Sequence, residues 1–283
     1  MVIRPATWDD LDAVFDLLST RDRALYGISD LQLEHLRIDW ELPSFTVGLD
    51  NWVAEAGGAL AGYASLEWGH NLVHTAADPD TGDALLGPIV ERARALGLES
   101  LQLKTAGGDD FARRNGFELQ TEIVRMWKTL HGGDPAPVWP AGVAVRTYEP
   151  SDGERVHALL DEAYSAWDPR YVPLAHDDWV TWMTESSEFD PAAWFLVVSG
   201  DELLGCALHW NTGWLKDIVV RASERGRGLG TALLLHGFAE FKRRGIERMG
   251  LKVDAGNPTG AMQLYERHGF VADRREEIWM LWL

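Results

Sequence analysis

The sequence predicts an α/β (α+β) chain built from two tandem domains, and three observations predict it. The chain has 283 residues, more than one hydrophobic core usually serves and comfortable for two. Short apolar runs rich in β-branched residues alternate with segments of helical periodicity along its length. A Pro- and Gly-rich stretch, residues 131–142 (HGGDPAPVWPAG), interrupts the pattern, and the same order of elements then begins again. The predicted organisation is a first domain over 1–130, a linker over 131–142 held semi-extended by its prolines, and a second domain over 143–283.

In the first half, Val2 to Arg4 reads as a short strand, and Thr7 or Asp9 caps a helix over Leu11 to Leu18. Residues 21–50 read as helical or irregular, anchored by Leu31, Leu33, Leu36 and Ile38. Trp52 to Glu55 and Leu60 to Glu67 form a hairpin turned at Gly57 and Gly58. Leu72 to Thr75 is a strand, and Leu85 to Leu96 a helix ended by Gly97. Leu101 to Lys104 is a strand, Phe111 to Arg114 a short helix, and Glu122 to Leu130 a closing strand. The second half repeats the plan: strand Ala144 to Thr147, helix Arg155 to Tyr164, and a tryptophan-rich stretch over 165–193 read as a helix plus loops. A hairpin of Trp194 to Val198 and Leu203 to Leu208 follows, then strand Leu215 to Val220 and helix Thr231 to Phe241. Strand Leu251 to Asp254, helix Gly260 to Arg267 and a closing strand Glu277 to Leu283 end the chain. Asn115-Gly116-Phe117 matches His268-Gly269-Phe270, and a period of about 145 residues marks a duplicated domain rather than a solenoid.

Composition narrows the function. Hydrophobic residues make up 46% of the chain, enough for true cores. The formal net charge of −18 argues against nucleic acid or an anionic membrane as partner and suits a cationic small molecule. The single cysteine, Cys206, excludes an intramolecular disulfide, fits a reducing cytoplasm, and sits in an apolar run as a core residue. Met1 to Asp9 lacks a signal peptide's pattern, and no apolar run reaches membrane-spanning length. The expectation is a cytoplasmic protein with no membrane partner.

The most informative stretch is residues 215–231, LKDIVVRASERGRGLGT. A buried-strand run, Leu215 to Val220, passes through Arg221 to Arg225 into Gly226, Arg227, Gly228, Leu229, Gly230 and Thr231, at a helix N-terminus. The first helical turn has unpaired N–H groups and partial positive charge, so it attracts anions. The glycines permit close backbone approach, and Arg225 and Arg227 add charge. A dinucleotide site would instead need GxGxxG and an acidic residue about 20 residues on. The Arg-x-x-Gly-x-Gly spacing, together with Asn257, Ala261, Leu264, Tyr265, Glu266, Gly269 and Phe270 downstream, resembles the GCN5-related N-acetyltransferase (GNAT) family. The first motif is similar to that family's acetyl-CoA pyrophosphate loop. The resemblance implies that each half is a mixed, mainly antiparallel sheet flanked by helices. It covers nearly the whole chain but is motif-specific only in the second half.

The halves differ where a cofactor would bind. Aligning Gly97 with Gly245 sets Ala77 to Gly82 against Arg225 to Gly230, so Asp78 and Asp80 replace two glycines. Carboxylates repel phosphate there. Asn257 has no counterpart, and Ala112 falls opposite Tyr265. The first half is therefore expected to be structural, as a paired subunit would be, and the chain a monomer (a pseudo-dimer of its two domains) or a homodimer.

The resemblance implies acetyl transfer from acetyl-CoA, with no metal, to a primary amine of a small molecule. Pantetheine would bond along Ile218, Val219 and Val220, and the pyrophosphate would sit on the amides of Gly226 to Thr231. Tyr265 would protonate the leaving thiolate, or else pack the core. Asn257 would hold the cofactor or the turn before its helix, and Asn257-Pro258 reads as a helix start. The family's usual base positions fall on Trp214 or Lys216, which are not bases. Asp217 is the nearest carboxylate, one position off in strict alternation unless a bulge shifts the parity. His209 and a water chain are the other candidates. An acceptor pocket is expected from 165–193 and the strand ends near His209, Trp210 and Trp214, with Asp168, Asp177, Asp178 and Glu185 either attracting an amine or forming a solvated face. Similarity to the mycothiol-synthase-like tandem acetyltransferases points to a cysteinyl-sugar amine as an alternative acceptor. A protein N-terminus or lysine, and a non-catalytic CoA-binding role, are the other readings.

Overall fold

Among the described residues, 1–67, 71–107 and 110–283 of the computed structural model, the apolar runs and helical periodicities become twelve strands and eight helices. In chain order the first half gives β1 (Val2–Pro5), α1 (Leu11–Tyr26), α2 (Leu33–Glu41), β2 (Asn51–Ala56), β3 (Ala59–Glu67), β4 (Asn71–Ala76), α3 (Pro79–Ala95), β5 (Ser100–Thr105), α4 (Asp110–Arg114) and β6 (Glu118–Thr129). The second gives β7 (Ala144–Thr147), α5 (Gly153–Ser165), α6 (His176–Thr184), β8 (Trp194–Ser199), β9 (Glu202–His209), β10 (Trp214–Val220), α7 (Leu229–Arg243), β11 (Arg248–Asp254), α8 (Ala261–Arg267) and β12 (Val271–Trp282). The periodicity places the start of α3 at Leu85, but the helix begins at Pro79. Its first turn is polar, with Asp78 as cap and Pro79 at the first helical position, so apolar spacing does not report it.

Two compact units form, and they do not coincide with the two sequence halves. One holds Met1–Glu122 with Glu276–Leu283, and the other Ile123–Arg275. The sequence boundaries of 1–130 and 143–283 therefore shift at both ends. In the first unit β1, β2, β3 and β4 pair antiparallel, β4 and β5 pair in parallel, and β12 pairs antiparallel with β5. In the second, β7, β8, β9 and β10 pair antiparallel, β10 and β11 in parallel, and β6 antiparallel with β11. The closing strand of each sequence half thus completes the unit built mainly from the other half. The swap costs no side-chain pattern, because β6 and β12 carry the same Met-Trp or Trp-Met centre.

Helices cover both faces of each sheet. In the second unit one core lies under α7, with Leu229, Leu233 and Phe238 against Val124, Met126, Phe195 and Leu251. The other lies under α5 and α6, with Val156, Leu160, Trp179 and Met183 against Trp194, Leu208 and Val219. Cys206 is fully buried in this second core, and burial pushes its thiol up, as suits a packing residue. No described helix is long and apolar enough to cross a membrane.

Both halves enter their first helix through the same device. Arg4 on β1 grips Asp10 with two hydrogen bonds, and Arg146 on β7 grips Asp152 likewise. Each carboxylate also accepts a backbone N–H, from Thr7 and Glu149. The bond from its arginine holds each carboxyl down to about 2. A depressed carboxyl contributes stability that is present above its ordinary value and is lost as pH falls through about 2. Asp152→Asn is expected to cost on the order of 1–2 kcal/mol at pH 7 and much less at pH 2.5. Urea melts at the two pH values check this, and an equal loss at both would show that the pair is not the source.

Candidate active site

The site grows from the way β10 leaves its neighbour. β10 and β11 pair only at Trp214 with Gly250 and Leu215 with Leu251. Gly250 is required at this junction: a Cβ there would lie 2.6 Å from the rings of both Trp127 and Trp214. Beyond Leu215 the strands diverge, while β10 continues on β9 through Ile218, Val219 and Val220. Backbone groups of these residues on the β11 side therefore face an opening rather than a ladder.

The opening leads to the N-terminus of α7. Gly226 and Gly228 have φ of 78° and 86°, the left-handed region that disfavours other residues. Gly228 is the N-cap, with no side-chain cap. The first helical bond runs from the Ala232 N–H to the Gly228 carbonyl at 2.9 Å, so the amides of Leu229, Gly230 and Thr231 precede it and are free to hold an anion. Gly230 has ordinary φ and instead keeps clearance to Leu264 and Val220. Arg225 donates to the Val220 carbonyl at 3.3 Å, and Arg227 pairs with Glu224.

In the first half the corresponding places are filled. β4 and β5 also diverge, after Leu72 and Leu103. There the Asp78 side chain caps α3, accepting from the Thr81 N–H at 2.9 Å and the Thr81 hydroxyl at 2.8 Å. The chain thus supplies its own anion to that helix. His74 stacks on Phe111 with ring centroids 3.9 Å apart, and its Nε2–H donates to the Gly82 carbonyl at 3.1 Å. This stack closes on the first turns of α3, where a Cβ added at Gly82 would lie 3.1 Å from His74; at Gly230 of α7 the nearest atom to an added Cβ is 3.7 Å away, on Leu264.

Asp217 is placed by a bulge. The register with β9 shifts between Leu215 and Asp217, so the strict alternation expected of this strand does not hold. Leu215, Ile218 and Val220 join the α7-side core, whereas Trp214 and Val219 join the α5/α6 side. Asp217 is on that second side, accepting a 2.6 Å hydrogen bond from the Tyr164 hydroxyl of α5. Lys216, at the bulge, lies 3.4 Å from its Oδ2 and over the Trp182 ring. The extra residue gives Asp217 the side that Trp214 occupies, which no pattern of apolar residues reports.

Tyr265 on α8 is buried at 5% exposure, its ring against Phe270 in the α7-side core. Burial first, and then the Asp217 charge, push its phenol up. The structure therefore brings Tyr265 and Asp217 into one electrostatic neighbourhood. Asn257 behaves differently from a helix start. Its Oδ1 accepts from the Thr259 N–H and hydroxyl at 2.8 and 2.6 Å, while α8 begins only at Ala261 behind Gly260. It holds the turn before the helix. His209 is fully buried on the α7 side between Phe195 and Phe241, and burial pushes it down to about 3, so it does not face Asp217.

The α5/α6 side of β10 contains residues that sequence patterns left unassigned. Tyr171 stacks on Tyr164 at 5.4 Å and donates to Asp161 at 2.6 Å. Arg170 bonds Asp168 at 2.7 Å and Asp254, at the end of β11, at 2.5 Å. Asp168 is thus paired, and Asp178 is buried, so neither belongs to a solvated acidic face. Among the described residues, no group of three His, Cys, Asp or Glu is arranged to hold a metal ion.

Comparison with known proteins follows the same lines. The model of the Acetyltransferase (GNAT) family matches residues 154–270. A mycothiol acetyltransferase of Geodermatophilus obscurus is 30% identical over 82% of this chain and 82% of its own length. One from Thermobispora bispora is 32% identical over 76% of this chain and 77% of its own. Among solved structures, a GCN5-related N-acetyltransferase from Sphaerobacter thermophilus has a TM-score of 0.74 and 25% identity, covering 99% of this chain and 95% of that one. A tandem GNAT protein from the clavulanic acid biosynthesis pathway has a TM-score of 0.70 at 17% identity, covering 99% and 98%, a likeness of fold.

Proposed function

The chain belongs to the GNAT acetyltransferase family and is an acyl-CoA-dependent N-acetyltransferase, and from that premise we propose that it acetylates a small-molecule primary amine from acetyl-CoA at one site in the second unit. The observation that carries this reading is the uncapped, glycine-led N-terminus of α7 beside the open edge of β10. The donor supplies an activated acetyl thioester. The amides of residues 226–231 hold its pyrophosphate, and the backbone of Ile218, Val219 and Val220 aligns its pantetheine arm.

Asp217 acts as base toward the amine, and Tyr265 protonates the departing thiolate. The two are coupled. The Asp217 charge raises the Tyr265 phenol, so proton uptake by Asp217 makes Tyr265 a stronger acid as the thiolate leaves. The curated relatives carry the name mycothiol acetyltransferase, which favours a cysteinyl-sugar amine as the acceptor within this class. A panel of amines, followed by free-thiol release, identifies the acceptor. Absence of turnover with every amine, while acetyl-CoA still binds, would favour a non-catalytic role.

Calorimetric titration with acetyl-CoA is expected to show one site per chain. Gly228→Asp is expected to abolish it, since a carboxylate would take the anion's place in a left-handed position. Two equivalent sites would overturn the assignment of Asp78, His74 and Phe111 as occupants of the first half's slot.

A further inference from the structure

Asp217 works as a base only when its carboxylate is held in a fixed direction. We infer that Tyr164 is the positioning residue of this site: its hydroxyl holds Asp217 Oδ1, and the Tyr171–Asp161 pair braces Tyr164 from behind. The inference rests on the reading of Asp217 as the base. Its geometry is a chain of contacts across three segments. Tyr164 closes α5 and reaches 53 positions along the chain to Asp217 at 2.6 Å. Tyr171, in the loop after α5, lies nearly parallel to the Tyr164 ring, with centroids 5.4 Å apart. Its hydroxyl is tied at 2.6 Å to Asp161, one turn earlier on α5. The ring of Tyr164 is thereby held on one face by a partner that is itself anchored.

The groups around Asp217 divide the work. Tyr164 from α5 donates to Oδ1, and Lys216 of β10 lies 3.4 Å from Oδ2. Tyr265 from α8, Tyr171 from the α5–α6 loop and Cys206 from β9 also feel the carboxylate's charge. Burial and that charge push the Tyr164 hydroxyl far up, so it stays protonated and donates at every pH at which the enzyme works. A permanent donor to the ionised form holds a carboxylate's proton affinity down. Tyr164 therefore fixes the direction of Asp217, and loss of its donor is to be read in the pH profile of the reaction.

The test is the pH profile of kcat/KM for the best amine found, with the amine's own titration common to all variants. Tyr164→Phe removes the donor and is expected to move the acid limb up by about one pH unit, with acetyl-CoA affinity unchanged by calorimetry. A ring-fluorinated tyrosine at position 164 keeps the shape and strengthens the donor, so its limb should move down, and it decides the matter if Tyr164→Phe folds poorly. Opposite shifts are a signature that packing alone would not give. A wild-type limb in the fluorinated variant overturns the inference. Asp217→Asn separates the two readings. If it abolishes the limb while both Tyr164 variants keep it, only the positioning role fails. If it keeps both limb and turnover, the base assignment fails and the positioning role with it.

Discussion

A chain that begins at residue 143 is expected to be unable to form the acetyl-CoA-binding unit, although every motif residue lies beyond that point. The reason is β6. Its residues 123–129 pair with all seven residues of β11, from Asp254 to Arg248. Val124, Met126 and Leu130 are almost fully buried in the α7-side core. Losing three such side chains removes roughly 5–9 kcal/mol of burial, of the order of a domain's entire stability, about 5–15 kcal/mol. It also bares β11 as an edge of unpaired backbone, an invitation to aggregate. The Arg125–Asp273 pair and the Trp127 ring against Trp214 disappear with it. Comparing residues 143–275 with 118–275 tests β6 together with the linker that follows it, whose Trp139 packs on the same core, since both fragments lack the end of β12. The longer fragment should be soluble, show a cooperative melt and bind acetyl-CoA, and the shorter should do none of these. A folded, binding-competent 143–275 fragment would return the functional boundary to the linker.

That boundary shows what a sequence pattern carries and what it does not. The handover from β10 to α7 is legible because strand, glycines and helix are adjacent in the chain, and each has a local signature. The identity of a strand's neighbour has none. β6 and β12 both read as closing strands with the same Met-Trp or Trp-Met centre, which would suit either sheet, so nothing in them reports the exchange. The bulge at Lys216 escapes for a related reason. WLKDIVV reads as regular alternation, and the shift comes from Leu215 entering one core while Asp217 meets Tyr164 across the other face. Tyr164 itself sits where apolar spacing marks a core position of α5, and its polar partner lies 53 residues away. Asp78 was legible as a charge unfavourable to phosphate, but its role as the cap of α3 required the helix to start at Pro79.

Tyr265→Phe is expected to lower kcat and kcat/KM together, by roughly 10²–10⁴ where proton transfer limits the rate. The hydroxyl is needed when the thiolate departs and little before. The ring would still pack on Phe270 and within the α7-side core, so the fold should be kept. Acetyl-CoA affinity should also be kept, because the amides of α7 and the edge of β10 hold the donor without the phenol. In the first half Ala112 stands in the corresponding place, directly before the turn whose Phe117 N–H bonds the Ala112 carbonyl, as Phe270 bonds Tyr265. No second phenol is supplied there. Thiolates leave fairly readily and water can deliver a proton, so the lower end of the range is the more reasonable expectation. The coupling to Asp217 sharpens the test. In Asp217→Asn the charge that raises the Tyr265 phenol is gone, so Tyr265 becomes the stronger acid while the base is lost. Adding Tyr265→Phe to Asp217→Asn should then cost less than the product of the two single effects, since both residues serve one proton transfer path. Steady-state kinetics on the four proteins, with acetyl-CoA binding measured separately, reads both quantities. Full turnover in Tyr265→Phe would make this residue a packing residue, and strict multiplication of the two effects would separate it from Asp217.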